Sequence, residues 1–403
     1  MKRINSTRRV ATAAALLAFA GWSTMVAAND AVTKGSGIAP AVPSNTRLVH
    51  LALGEITAIA AQKGWLQEEF AKYNAKADLV NTSSYTGTAT AVLLDRGDLH
   101  IIRAMVNFAL QYPASGMDTR VIWGSGVVNE HRAQTIVLKD SAIKTVPELK
   151  GHKLATSILS CPYYASAEAL RSQGVSVDSA DQKGDVQYIN ITGIAATSAF
   201  LSGRFEGFAL HPTTSTTASL FIQDQVRSLA TAVPNGMYVN SGGRSMEFAL
   251  RTWVDENPDL VRAFLTAQDR VVRWLAADHG AHLDDAATIT SRALRIPKSV
   301  ALFGLKDLAQ TAWEFGETDA NDLTKALKKY QEYQLAVKDP LFTKAHLTEK
   351  QIEVLVDRRF FTGGEYFVDA GEKKKGGGGA RGATLEGGAD SAGTKLALTK
   401  AGR

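Results

Sequence analysis

Residues 135–164 read TIVLKDSAIKTVPELKGHKLATSILSCPYY, and this stretch decides the fold class. Thr135-Ile136-Val137-Leu138 is a short β-branched, apolar run, the pattern of a strand. Thr145 then supplies a helix cap, and Glu148 is placed to close a capping box. Pro147 falls in the first turn, where its missing N–H costs nothing, and Gly151 stops the helix. Lys153-Leu154-Ala155-Thr156 is the next strand, and Ser160-Cys161-Pro162-Tyr163 opens a helix that Gly174 ends. Strands that alternate with helices at this spacing predict α/β architecture around a parallel sheet.

The same rhythm extends in both directions. Upstream, 47–53, 76–80, 100–104 and 119–123 read as strands, with helices over 58–73 and 86–96. Downstream, 186–189 and 207–210 are strands around a helix over 194–202. After Met246-Glu247-Phe248-Ala249-Leu250 the character changes to helices at 257–277, 284–295, 305–315, 320–336 and 348–356. So long a helical finish must pack on one of the two α/β halves.

The ends read differently from the body. Lys2, Arg3, Arg8 and Arg9 precede an apolar run from Val10 to Trp22, and Val26-Ala27-Ala28 offers small residues before a cleavage point; residues 1–28 have the layout of a secretory signal peptide. Residues 372–403 are glycine-rich, basic and without aromatic residues, a composition too poor in apolar area to offset the entropy of ordering. The formal net charge of +5 divides into +4 over 1–28, +5 over 373–403 and −4 over the middle. The body is therefore mildly acidic, which argues against a nucleic-acid-binding face. One cysteine excludes an internal disulfide framework and a multi-cysteine zinc site. His279 and His282, beside Asp278, Asp284 and Asp285, have a spacing that permits a metal, but an acidic helix end is usually solvated. No glycine-rich nucleotide loop, G-x-S-x-G or H-E-x-x-H occurs.

Several phrases, in order over about residues 46–340, are similar to the periplasmic substrate-binding proteins of ABC importers for nitrate, taurine and alkanesulfonates. They are Ala61-Gln62-Lys63-Gly64-Trp65-Leu66, Leu93-Leu94-Asp95-Arg96-Gly97-Asp98-Leu99, Lys139 to Lys153, and Asn257-Pro258-Asp259-Leu260-Val261. The resemblance implies a two-lobe α/β fold of the type II periplasmic-binding-protein kind, with extra C-terminal helices on lobe 1. Lobe 1 would be 46–132 plus 235–371, and lobe 2 would be 133–234. It also implies a monomeric periplasmic receptor that closes on a small organic anion without a cofactor and delivers it to an inner-membrane permease. A desulfinase and a thiamine-pyrimidine synthase share this scaffold, so a cysteine-dependent desulfinase or hydrolase stays open as the alternative, with a sensory partner of a membrane kinase third.

In open α/β sheets ligands bind beyond the carboxyl ends of strands. The loops there carry Gly54 and Glu55; Ser83, Ser84 and Tyr85; Arg103 and Met105; His131; Ser160, Cys161 and Tyr163; Asn190; and His211 and Thr213. Hydroxyls and unpaired N–H groups at helix N-termini suit a carboxylate or sulfonate, although each serine is equally suited to capping its helix. Arg103 follows an apolar strand and could pair an anionic ligand in two-pronged fashion or sit in an internal ion pair. Tyr85, Met105, Tyr163 and His211 could wall an aromatic ligand or belong to the core. Cys161 opens a helix, and His131 or His211 could activate its thiol.

Overall fold

The computed structural model describes residues 45–368 apart from 83–86, 159, 192, 213–214 and 313–318. The segments expected to be a signal peptide and a basic tail therefore lie outside the described residues. The chain starts β1 (Arg47–Ala52), α1 (Glu55–Gln62), α2 (Trp65–Ala71), β2 (Ala75–Val80), α3 (Gly87–Asp95), β3 (Ile102–Met105), α4 (Val106–Ala114) and β4 (Thr119–Gly124). The helix expected over 58–73 is two helices. Gly64 breaks it with φ +78°, a left-handed conformation that side chains with a Cβ resist.

A connector, residues 125–133, leads to β5 (Gln134–Leu138), β6 (Lys153–Thr156), α5 (Cys161–Ser172), β7 (Gln187–Asn190), α6 (Gly193–Leu201), β8 (Gly207–Leu210), α7 (Ser215–Ile222) and β9 (Val226–Thr231). The capped turn expected at 145–150 is a 3-10 turn, Val146–Leu149; the Glu148 carboxylate accepts from Thr145 N at 3.1 Å. These five strands form one sheet in the order β7-β6-β8-β5-β9. The expected parallel pairing holds for β6 with β7 and β8, but β5 runs antiparallel to both β8 and β9.

A second connector, residues 232–244, carries a turn of π-helix at Tyr238–Gly242 and leads into β10 (Ser245–Leu250). β10 lies antiparallel between β3 and β4. Both departures from a parallel sheet come from the strands that follow a connector. The first connector hydrogen-bonds to the start of β10, Ser125 N to Ser245 O at 2.8 Å, and to the second connector, Val128 N to Val239 O at 3.1 Å and Ala232 N to Glu130 O at 3.0 Å. Glu168 of α5 fastens the second one, its carboxylate accepting from Met237 N at 2.6 Å and Tyr238 N at 2.7 Å.

The helical finish comprises α8 (Arg251–Glu256), α9 (Pro258–Ala276), α10 (Leu283–Leu294), α11 (Lys298–Ala312), α12 (Ala320–Ala336), α13 (Pro340–Lys344) and α14 (Glu349–Leu355). α9 is strongly amphipathic, burying Leu260, Val261, Phe264, Val271 and Leu275 in a core shared with β3, β4 and β10. Val356 bridges Val121, so the chain after α14 runs along the β4 edge. Among the described residues no helix is long and apolar enough to cross a membrane.

Candidate ligand-binding site

Six strand-to-helix junctions place helix N-termini beyond strand carboxyl ends: β1 to α1, β2 to α3, β3 to α4, β6 to α5, β7 to α6 and β8 to α7. An N-terminus carries N–H groups without intrahelical partners and the positive end of the helix dipole. At the first junction Gly54 N donates to Thr57 Oγ1 at 2.9 Å, and Thr57 Oγ1 donates to Ala52 O at 2.8 Å. A Cβ on Gly54 would touch nothing within 4 Å, so this junction borders open space. Asn190 is exposed, and its Oδ1 accepts from Ile158 N at 3.0 Å, which shapes the turn before Ser160. Ser160 Oγ donates to Ser157 O at 2.6 Å rather than capping α5. Ser83, Ser84, Tyr85 and Thr213 lie outside the described residues.

The centre of the site is Cys161, which is buried and touches His211 through Sγ and Nε2. His211 Nδ1 lies 2.6 Å from the Arg132 carbonyl. A carbonyl only accepts, so the ring carries its proton on Nδ1 and Nε2 accepts from the thiol. Burial pushes the Cys161 thiol up to about 12, against smaller lowering by a Tyr238 hydrogen bond and the Arg132 charge. Burial, with the Arg132 charge added, pulls His211 down to about 4. At neutral pH the pair is thus thiol and neutral imidazole. Met105, from the end of β3, packs on the cluster that holds Cys161, Val128 and Tyr238. Residues from β3, both connectors, α5 and the β8 loop therefore converge at one place.

Arg132 is the functional candidate that reading the sequence missed. It ends the 3-10 turn Glu130–Arg132 of the first connector, and its Nη2 donates to the buried Ser245 Oγ at 3.0 Å. Its Nη1 is buried and has no hydrogen-bond partner among the described residues. The sequence carries a signal: Arg132 directly follows His131 and stands two residues before the apolar strand β5.

Four more of the expected residues have these surroundings. Arg103 sits in an internal ion pair, Nε to Glu247 Oε1 at 2.6 Å, with its guanidinium over the Trp123 ring. Register explains this: Arg103, Glu247 and Trp123 are neighbours across β3, β10 and β4, so their side chains share one face. Tyr163 is core, packed edge-on against Tyr164 and Tyr188. His131 points to solvent, 3.8 Å from Glu130, so His211 and not His131 meets Cys161. Glu55 is exposed on the first residue of α1, where its own charge sits at the positive end of the dipole and repels an anion. As for a metal, no cluster of three potential ligands occurs among the described residues. There Asp284 pairs with Lys298 and Asp285 with Lys63.

A mixed five-stranded sheet, an antiparallel three-stranded sheet and a two-stranded sheet of β1 and β2, with paired connectors between the first two and helix N-termini beyond the strand ends, make up the periplasmic-binding-protein fold. The NMT1/THI5-like family profile matches residues 56–280, and the chain belongs to that family. The alkanesulfonate-binding protein SsuA of Xanthomonas axonopodis pv. citri, solved with MOPS bound, superimposes with a TM-score of 0.61 at 17% identity, over 77% of this chain and 98% of that one. The aliphatic sulphonate-binding protein SsuA of Escherichia coli gives 0.55 at 17% identity, over 74% and 97%. A mutant of DszB, solved with biphenyl-2-sulfinic acid, gives 0.53 at 14% identity, over 76% and 96%. At such identities the likeness is one of fold. No curated protein sequence matches the chain.

Proposed function

We propose that the protein is a periplasmic solute receptor, exported by residues 1–28, that captures a small organic anion and hands it to an ABC importer. Residues 46–132 with 235–371 form one lobe and 133–234 the other, and the two connectors are the hinge. The sheet memberships support this division, since one sheet draws only on residues 134–231. The receptor acts as a monomer, and binding with closure is its whole activity.

One observation carries the reading: Arg132 holds a buried Nη1 without a partner among the described residues, next to the Cys161–His211 pair and the α5 N-terminus. A buried donor on a cation is costly unless an acceptor fills it. A sulfonate or carboxylate supplies that acceptor, and the apolar face of Met105 suits an organic substituent.

The cysteine-dependent desulfinase or hydrolase has one observation in its favour, the Cys161–His211–Arg132 carbonyl relay. Against it stands the protonation state: a thiol held near 12 beside an imidazole near 4 is far from the thiolate that nucleophilic attack needs. The receptor is the better reading.

Thermal unfolding with MOPS, taurine, benzenesulfonate and benzoate tests it. A ligand at 100 times its Kd adds about 2.7 kcal/mol of stability, so at least one anion should raise the midpoint by several degrees. A flat response across the panel would contradict the proposal. Turnover of an aryl sulfinate that Cys161→Ala abolishes would favour the enzyme.

A further inference from the structure

A groove of about 340 Å³ opens between the second connector and α12, with Val127 of the first connector on its wall. Its polar lining includes Asn240, Arg244, Asp322, Lys325 and Lys329. Lys325 and Lys329 are one helical turn apart and so project on the same face of α12. Arg244 donates through Nε to Asn240 O at 2.8 Å, at the end of the π-helical turn. Its guanidinium makes no other hydrogen bond or ion pair within 4 Å among the described residues. Asp322 is engaged with Lys325 at 3.6 Å, and Lys329 has no ion pair among the described residues. Three cations therefore face one carboxylate.

That arrangement opposes itself. Burial disfavours the charged guanidinium of Arg244, which Asp322 only partly offsets. Like charges one turn apart on α12 repel. A ligand carrying two negative charges would neutralise the excess and fill the open donors of Arg244, and the volume lies at the lower end of the range for small-molecule pockets.

We propose that this groove binds a small dianion, an inorganic phosphate or a dicarboxylate, held between Arg244 on the second connector and Lys325 and Lys329 on α12. A bound dianion would tie the π-helical turn to α12 and so bias the movement of that connector. This consequence rests on the two-lobe receptor reading; the binding itself does not.

The test is calorimetric titration of the full chain with inorganic phosphate and with succinate, at ionic strength fixed by sodium chloride and with no sulfonate present. Saturable binding of one molecule per chain is expected for at least one of the two, and a preference between them tells which dianion fits. Lys329→Gln, at an exposed position, should weaken it at least tenfold, and Arg244→Gln more. Heats that do not saturate, or that are equal in wild type and Lys329→Gln, would overturn the site. Because the Lys329 variant changes only an exposed side chain, the result does not depend on whether Arg244→Gln folds. For the coupling, saturating phosphate or succinate should shift organic-anion affinity at least threefold, and no shift would overturn it. If no organic anion binds, the receptor reading fails while the dianion titration still decides the groove.

Discussion

Arg103 lies within β3 and Arg132 just before β5, and the fold meets their charges differently. Arg103 faces a built-in counter-ion, Glu247, which is 4% exposed in its side chain. Its neighbour across two strands, Trp123, covers the guanidinium plane. Arg132 meets the hydroxyl of Ser245 and, among the described residues, has no carboxylate within 4 Å. The difference teaches which arginine is structural. A cation whose charge the fold itself neutralises contributes to folding, and one whose charge it leaves open is available to a ligand.

Breaking the first pair should have the largest effect. Arg103→Gln strands the Glu247 carboxylate in the core, and loss of one partner of a buried ion pair costs about 3–5 kcal/mol. Urea unfolding measures it; a loss below about 1 kcal/mol would mean that the pair is as dispensable as a surface one.

Acidification comes next. His100, stacked between His50 and Trp253, is lowered to about 4 by burial and by the neighbouring His50, and His211 is lowered to about 4 by burial and Arg132. A group with a depressed folded pKa lends stability that is complete above its unfolded value of about 6.5 and is lost as pH falls through about 4. The stability advantage of wild type over His211→Gln should therefore shrink by about 1–3 kcal/mol between pH 7 and pH 4. Buried Glu168, Glu247 and Asp339 are raised and pull the other way, which is why the difference between proteins, and not the wild-type curve alone, is the readout. An advantage that stays constant with pH would show that His211 is not held neutral.

Smaller still, Cys161→Ala removes the donor to His211 Nε2 and should cost about 1–2 kcal/mol of stability. In the folded protein the thiol should resist iodoacetamide at pH 8, since burial holds it protonated; rapid alkylation would reopen the enzyme reading.

Much of the fold was legible because the signals are local. Alternating apolar runs and capped helices gave most elements within a few residues, including α5, whose opening residues Ser160-Cys161-Pro162 read correctly as a helix start. Glycine at 64 splitting a helix was not, because the position looks like any other turn of an amphipathic run. The antiparallel β5 and β10 were missed too, since strand direction depends on where each connector returns. Within the site, the Cys161–His211 meeting was open as one of two possibilities, and only tertiary placement turned His131 outward. The Arg103–Glu247 pair had a readable trace: each is a lone charge in an otherwise apolar strand, and such charges tend to find each other. Arg132 left a weaker one, because what distinguishes it is a missing partner, and pairing is a property of the folded chain.

The most direct test of the account is titration calorimetry of the best organic anion into wild type and Arg132→Gln, with thermal unfolding of both in the absence of ligand. The account predicts one site per chain, affinity at least tenfold weaker in the variant, and unfolding midpoints within a few degrees of each other. Equal affinities in the two proteins would contradict it.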